Sequence, residues 1–427
     1  MSSTTDQRST RPPGVAAFVL EDLPVAGRAG YCTYNRAFVE ALVAGGWETH
    51  VVVIGPRLPS PVFDPGALVG LPSVRFHVRG AHRAFGRFWV SEPRAAVRAW
   101  FRFLTQLLPA GARAWLGARR RARVRTDGAA PIGRLADAGD ASRVGPVLDR
   151  VRPAVVLIDT IFRVPAIPAD RNGFGRVLVA HDVFYKRCAS LEAAGLTPRP
   201  MVTRELERSL LTGLDRIVAI SDQDAAELRG LGRTIPVTTL HSPIEPATVI
   251  AAPPEGPVHI LYLGSAAHHN VDGLQWFLAE IWPAVASACP EVTLDVVGSI
   301  GESLAAVPTG VRVHGPVDEI EGIASAASFA INPVRAGSGL KIKMLDYFAH
   351  SLPCITTTVG AEGFPASAES PIAVGDSATE FAERVIGWVR EPAGVSRLRE
   401  AAYRYAAQFS SASFQQGLHG VLSVPAD

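Results

Sequence analysis

Short strand-like runs, many of them apolar, recur along this chain in two series, and that repetition limits its fold more than any other feature. The first series lies at 15–20, 49–54, 74–78, 154–159, 176–180, 216–220 and 237–240. The second lies at 259–263, 293–297, 312–314, 329–331, 354–357 and 372–374. Helical patterns separate most of the runs, notably at 34–44, 272–288 and 341–350. A run that is apolar throughout suits a strand covered on both faces, and such strands belong to parallel sheets flanked by helices. The order strand, glycine loop, helix, strand over 15–54 is a right-handed βαβ opening. The alternation predicts a doubly wound α/β unit, made twice. Residues 242–257 carry five prolines and few large apolar side chains, which reads as the linker between the units. At 427 residues the chain also exceeds one ordinary core.

Composition narrows the function mainly by exclusion. The four cysteines, Cys32, Cys188, Cys289 and Cys354, are far apart and show no CxxC spacing. This argues against a zinc site or disulfide scaffold and suits a reducing compartment. The first ten residues are polar, no run of 18 apolar residues occurs, and a cytoplasmic location is expected. One segment departs from the alternation. Residues 79–125 hold 12 arginines against a single acid, Glu92, with seven large aromatics among them. This reads as an Arg-rich helical insertion in the first unit, suited to peripheral contact with an anionic membrane. Nucleic-acid binding through it ranks low, because no nucleic-acid module is recognisable and the aromatics are bulky and closely set.

The chemistry concentrates between Asn332 and Gly363. Gly337, Ser338 and Gly339 form a small-residue loop that runs into a helical pattern carrying Lys341, Lys343 and Asp346. Backbone N–H groups of such a loop approach an anion closely, and the helix start adds its dipole. Lysines are unfavourable at that end of a helix unless an anion is bound there. Asp346 lies at i+3 from Lys343, on nearly the same face, as an acceptor for hydroxyls. A nucleotide sugar needs both a phosphate site and a hydroxyl acceptor. Gly360-Ala361-Glu362-Gly363 follows the 354–357 strand and so falls at the carboxyl edge of the second sheet, where open α/β sheets bind ligands. His181 and Asp182 hold the equivalent position after the 176–180 strand. A lone histidine is more often structural, and a Gly-containing loop is more often a plain turn.

The stretch resembles the nucleotide-sugar signature of retaining family 4 glycosyltransferases, which have the GT-B fold: two Rossmann-like doubly wound domains facing across a cleft. In that family a Gly-rich loop enters a helix with an acidic residue, followed by a segment here written His350-Ser351-Leu352-Pro353-Cys354 and a second glycine loop at Gly360–Gly363. A second block is similar: Leu261-Tyr262-Leu263-Gly264-Ser265, Asn270-Val271-Asp272-Gly273, Trp276-Phe277 and Pro283. The resemblance is good over about 256–365 and thin before 170. It departs at two places: Ser338 stands where the first of an acidic pair is usual, and Asp346 is one methylene shorter than the usual Glu.

The resemblance implies domains at 1–245 and 246–400, with a last helix at 401–427 crossing back to the first. It implies a sugar moved from a nucleotide sugar, with retention, to a hydroxyl of a glycan, a lipid-linked or a small-molecule acceptor. Donor-binding residues would be Gly27, Gly30, Gly264, Ser265, Gly337, Ser338, Gly339, Lys341, Lys343, Asp346, Gly360 and Glu362. His181 and Asp182 would be catalytic. One of His268 and His269 would line the cleft beside Ser265; adjacent side chains diverge, so they do not read as a metal pair. No metal and no cofactor is expected, since the donor is a substrate. The alternatives are an epimerase of the same fold, which needs further acids and bases around the sugar, and a binding protein that has lost catalysis, for which Ser338 is the best support.

Overall fold

The computed structural model describes residues 14–24, 30–55, 58, 60–64, 66–106, 108, 129–169, 173–193, 195–232, 234–245, 256–304, 306–317, 319–337, 339–364 and 370–423. Gly27, Ser338 and the Arg119–Arg125 cluster lie outside them.

The strands Val15–Leu20, Glu48–Val53, Val74–Val78, Val155–Asp159, Gly175–Ala180, Arg216–Ala219 and Val237–Thr239 form one parallel sheet. Val15–Leu20 lies inside it, with Glu48–Val53 on one side and Val155–Asp159 on the other. Its side chains explain the continuous apolar run. Ala16, Phe18 and Leu20 enter one core, and Ala17 and Val19 enter another on the opposite face. The two windings diverge between Val15–Leu20 and Val155–Asp159. The crevice of a doubly wound sheet opens at such a switch point, at the carboxyl ends of the strands.

The second parallel sheet runs in the order Val311–Gly315, Thr293–Val297, His259–Leu263, Phe329–Asn332, Cys354–Thr356 and Ile372–Val374. Its switch point lies between His259–Leu263 and Phe329–Asn332. Glycines let loops close tightly at this edge. A Cβ on Gly298, where φ is +108°, would meet the Gly264 carbonyl oxygen at 2.2 Å, and one on Gly273 would meet that of Pro333 at 2.3 Å. Near the end of the chain, helix Ser411–Ser423 returns to the first sheet and packs on helix Gly30–Ala44. Phe414 stacks edge-on against Phe38 at 5.0 Å and Tyr34 at 6.0 Å.

Three expectations need correction. The Arg-rich segment does not begin as helix. Ala81–Ala84 and Arg87–Val90 form an antiparallel hairpin, joined on its far side by Val62–Phe63. Its turn residues, Phe85 and Gly86, have φ of +50° and +76°, the left-handed pair that matches hairpin twist. Only then does helix Pro93–Gln106 start. The helix expected over 272–288 starts at His268 and contains a π-helical turn, Phe277–Ile281, just before Pro283. Pro283 has no N–H to continue the ladder, and a widened turn there accommodates it. The C-terminal helical sequence is two helices, Pro392–Ala407 and Ser411–Ser423.

Candidate functional site

At the edge of the first sheet, His181 follows strand Gly175–Ala180 and meets Asp159, the last residue of the neighbouring strand. His181 Nε2 lies 2.9 Å from Asp159 Oδ1 and 3.1 Å from Asn35 Oδ1. Both partners accept, so Nε2 carries the proton. Nδ1 is buried and has no hydrogen-bond partner among the described residues. The side chain is 9% exposed, and the Tyr34 ring meets it edge-on at 5.2 Å. Asp159 also accepts from the Glu21 backbone N–H at 3.4 Å. Glu21 pairs with buried Arg163, and Arg134 lies within 3.5 Å of the same carboxylate. Burial disfavours the Asp159 charge, yet its carboxyl stays below the usual range, because the His181 hydrogen bond and charge and then Arg163 oppose that cost. Opposite charges alternate along this edge.

Asp182 does not stand free as a base. It is buried, pairs with Arg187 at 2.9 Å, and packs against Gly339 of the other sheet's loop, where an added Cβ would meet its carboxylate at 3.1 Å. Ser190, one helical turn beyond Arg187 (i, i+3), accepts from Gly337 N at 3.0 Å and donates to Gly337 O at 3.2 Å. The small-residue loop is therefore gripped by helix Phe184–Ala193 of the first domain. Its left-handed residues, Gly337 at φ +118° and Gly339 at φ +76°, flank Ser338.

Helix Ile342–Ala349 begins just after this loop. Lys341 stands at its N-cap, buried, with Nζ donating to the Gly339 carbonyl at 2.7 Å and 3.9 Å from Glu362. Glu362 in turn accepts from Gln223 of the first domain at 3.1 Å. Lys343 Nζ donates to Asn270 Oδ1 at 2.8 Å and lies 4.8 Å from the Tyr262 ring centroid. Asn270 Nδ2 donates to both the carbonyl and the hydroxyl of Ser265, each at 3.2 Å. Ser265, Asn270 and Lys343 thus join the two sequence blocks into one surface. Burial pushes Lys343 down to about 7. Burial, then the charges of Arg187, Lys343, Lys341 and His268, push His269 down to about 3. The charges that act on His269 come from both domains, and Asp182 and Glu362 offset two of them, Arg187 and Lys341.

Asp346 is exposed, one turn beyond Lys343. Surrounding protein still pushes its carboxyl up to about 7. Gly360 has a different job. It is buried, and a Cβ there would fall 2.0 Å from Thr356 Oγ1 and 2.7 Å from Asn332 Nδ2, so its lack of a side chain serves packing. Gly264 touches Tyr262 and Gly298 in the same way. Gly30 is the first residue of helix Gly30–Ala44. Trp276 and Phe277 are core.

Sequence reasoning assigned no role to Arg187, Ser190, Asp159 or Asn270. Asp159 ends a predicted strand, so the edge argument that selected His181 also applied to it. Arg187 and Ser190 sit in a helix with no motif, and only the folded domains bring them to the loop.

This architecture, two doubly wound parallel sheets whose carboxyl edges meet at one site, is the GT-B glycosyltransferase fold. The second domain carries the family pattern: residues 257–391 match the family model described as Glycosyl transferases group 1. Sucrose-phosphate synthase from Thermosynechococcus elongatus superposes with a TM-score of 0.64 at 14% identity, over 95% of this chain and 98% of that one. WaaG, a glycosyltransferase involved in lipopolysaccharide biosynthesis, gives 0.57 at 14%, over 96% and 100%. Anabaena HepE, solved in complex with UDP, gives 0.60 at 10%, over 96% and 99%. Among curated proteins, an uncharacterized 44.6 kDa protein in the cps region of Klebsiella pneumoniae is 24% identical over 159 residues. That match covers 34% of this chain and spans 41% of the relative's length. Among the described residues no helix is long and apolar enough to cross a membrane, and no group of three His, Cys, Asp or Glu is placed to hold a metal ion.

Proposed function

We propose that this protein transfers a sugar from a nucleotide sugar to an acceptor hydroxyl. The observation that carries the reading is the surface where Lys343, Asn270 and Ser265 are joined by hydrogen bonds beside Lys341 and the loop that Ser190 grips at Gly337. Glycosyl transfer releases a nucleoside diphosphate, so negative charge grows on the pyrophosphate as the bond to the sugar breaks. Cations held ready at that point would stabilise the transition state electrostatically. Asp346, exposed one turn beyond Lys343, would accept hydroxyls of the nucleoside or the sugar. His181 lies on the facing edge, where the transferred sugar would sit, with Nε2 against Asp159 and Asn35. Retention at the anomeric carbon rests on the family resemblance. The likeness to a protein from a cps region supports a glycan acceptor.

A membrane-bound acceptor is supported by helix Pro93–Gln106. Val97, Trp100, Phe101 and Leu104 are exposed and recur at i, i+3, i+4 and i+7, and Phe85 at the hairpin tip is 97% exposed. Arg83, Arg87 and Arg94 are exposed on the same hairpin and helix. An apolar face with flanking arginines fits an anionic lipid surface. The catalytic reading is tested by incubating the protein with a panel of nucleotide sugars, UDP-sugars first, and measuring nucleoside diphosphate release. Release is expected with one donor class, and its absence across the panel overturns the reading. Co-sedimentation with anionic but not neutral vesicles, lost in Trp100→Ser/Phe101→Ser, is expected for the membrane face.

A further inference from the structure

The chain holds 42 lysines and arginines, and only three of them are lysines: Lys186, Lys341 and Lys343. Two of the three stand where the small-residue loop enters helix Ile342–Ala349. An arginine stays charged in almost any setting, whereas the charge of a lysine is set by its neighbours. Lys343 Nζ donates to Asn270 Oδ1 at 2.8 Å, over the Tyr262 ring. The same amide donates through Nδ2 to the carbonyl and the hydroxyl of Ser265, each at 3.2 Å. It can stand only one way round. An ammonium only donates and a carbonyl oxygen only accepts, so Oδ1 must face Lys343 and Nδ2 must face Ser265. Asn270 is buried, and its backbone is anchored as well. Its N–H donates to the Ala267 carbonyl at 3.0 Å, and its carbonyl accepts from the Tyr262 hydroxyl at 3.2 Å. Because the Ser265 hydroxyl accepts from Nδ2, its own proton is left to turn outward, and Ser265 is exposed.

We propose that Asn270 is a positioning residue that holds Lys343 and Ser265 as a two-pronged clamp for the pyrophosphate of the donor. The inference rests on the glycosyltransferase reading for the identity of the anion, and on the Asn270 hydrogen bonds for the clamp. A neutral amide suits the task, because it accepts from the ammonium without cancelling its charge. A carboxylate in its place would neutralise Lys343 and turn the Ser265 proton inward. A methyl group would leave the ammonium without its acceptor. Burial works most against the Lys343 charge; Cys354 then favours it and Lys341 opposes it. Burial keeps the Cys354 thiol and the Tyr262 phenol protonated. His269, pushed down to about 3, is neutral. Asp346, one turn on, has its carboxyl pushed up to about 7 by burial.

The test labels the full chain isotopically at lysine Cε and follows the lysine signals by NMR as pH is raised, with Lys186→Arg and Lys341→Arg to assign them. In the free protein, the Lys343 midpoint should rise by about one pH unit or more in Asn270→Asp and fall in Asn270→Ala. Each variant is also read with Asp346→Asn, so that the neighbouring carboxyl does not supply the inflection. Calorimetry with UDP, and separately with inorganic pyrophosphate, should show a loss of about tenfold or more in both variants at neutral pH. In Asn270→Ala the loss should grow as pH rises. A packing role alone would lower Tm and leave the Lys343 midpoint in place. Unmoved midpoints in both variants, or unchanged affinity for an anion that the wild type binds, overturn the proposal. Binding of pyrophosphate without UDP keeps the clamp and changes the base. Failure of the wild type to bind either anion is a separate result, against the nucleotide reading. The lysine midpoints then support or overturn the hold of Asn270 on Lys343 by themselves.

Discussion

The two sheet edges that meet at the site handle charge in opposite ways. On the first-domain edge, Glu21, Asp159, His181, Arg163 and Arg134 alternate in sign and neutralise one another at short range. On the second, Lys341 and Lys343 stand two residues apart on the loop-to-helix junction, and the first domain adds Arg187. Asp182 and Glu362 offset Arg187 and Lys341, while among the described residues Lys343 has only the neutral Asn270 as a hydrogen-bond partner. A self-neutralised network has little affinity for a further ion. A cation held only by neutral groups gains most from an anion. The difference teaches which partner each edge awaits: a sugar carrying partial positive charge against the first, and a pyrophosphate against the second.

The comparison breaks most visibly at His181. If its ring serves the transferred sugar, His181→Ala lowers kcat on the order of a hundredfold. Wild-type turnover in steady-state kinetics would make the whole neutralised edge structural. Next in size is Lys343→Ala, which should weaken nucleoside diphosphate binding by roughly 1.5–3 kcal/mol. Calorimetry showing unchanged affinity would move the phosphate site away from the cluster.

A pH series sharpens the contrast. Lys343 in the free protein loses its proton near pH 7. A bound diphosphate favours the charged form, so the complex keeps that proton to higher pH. Affinity for UDP should therefore fall as pH rises above about 7, by at most about tenfold per unit, with proton uptake on binding. Lys343→Ala should flatten the profile. The smallest effect concerns Asp224, which accepts from the Ser221 hydroxyl at 2.6 Å. Burial first, then the charge of Asp182, raise its carboxyl from 3.8 to about 7. Between those values the folded protein keeps a proton that the unfolded chain releases, so stability falls as pH rises through the window. Asp224→Asn should raise Tm at pH 8 by on the order of 2–4 °C and leave it nearly unchanged at pH 4.

The sheets were legible because their strands are buried on both faces, and burial writes itself as unbroken apolar runs such as 15–20. The hairpin at 81–90 was not. Its strands carry arginines and exposed aromatics, and only the turn at Phe85-Gly86 hinted at it. At the site, residues contributed by the loop and helix after Phe329–Asn332 could be read, because glycines and lysines at a helix start have few other uses. The grip on that loop could not be read. Asp182, Arg187 and Ser190 matter through a neighbour more than 140 residues away, and no local spacing records such a contact.

The chain passes between the two sheet bodies twice, once between strands Val237–Thr239 and His259–Leu263 and again at 408–410, before helix Ser411–Ser423 docks. The two passages lie side by side: Ile244 N–H donates to the Phe409 carbonyl at 2.8 Å, and the His241 ring meets that of Phe409 at 4.8 Å. A single crossing would be a swivel. Two crossings fastened together make a door hinge, which resists sliding and twisting and leaves one easy movement, a swing that parts the far rims of the cleft. That swing is the one that would pull Ser190 from Gly337. Any opening of that kind would loosen the small-residue loop in the same movement.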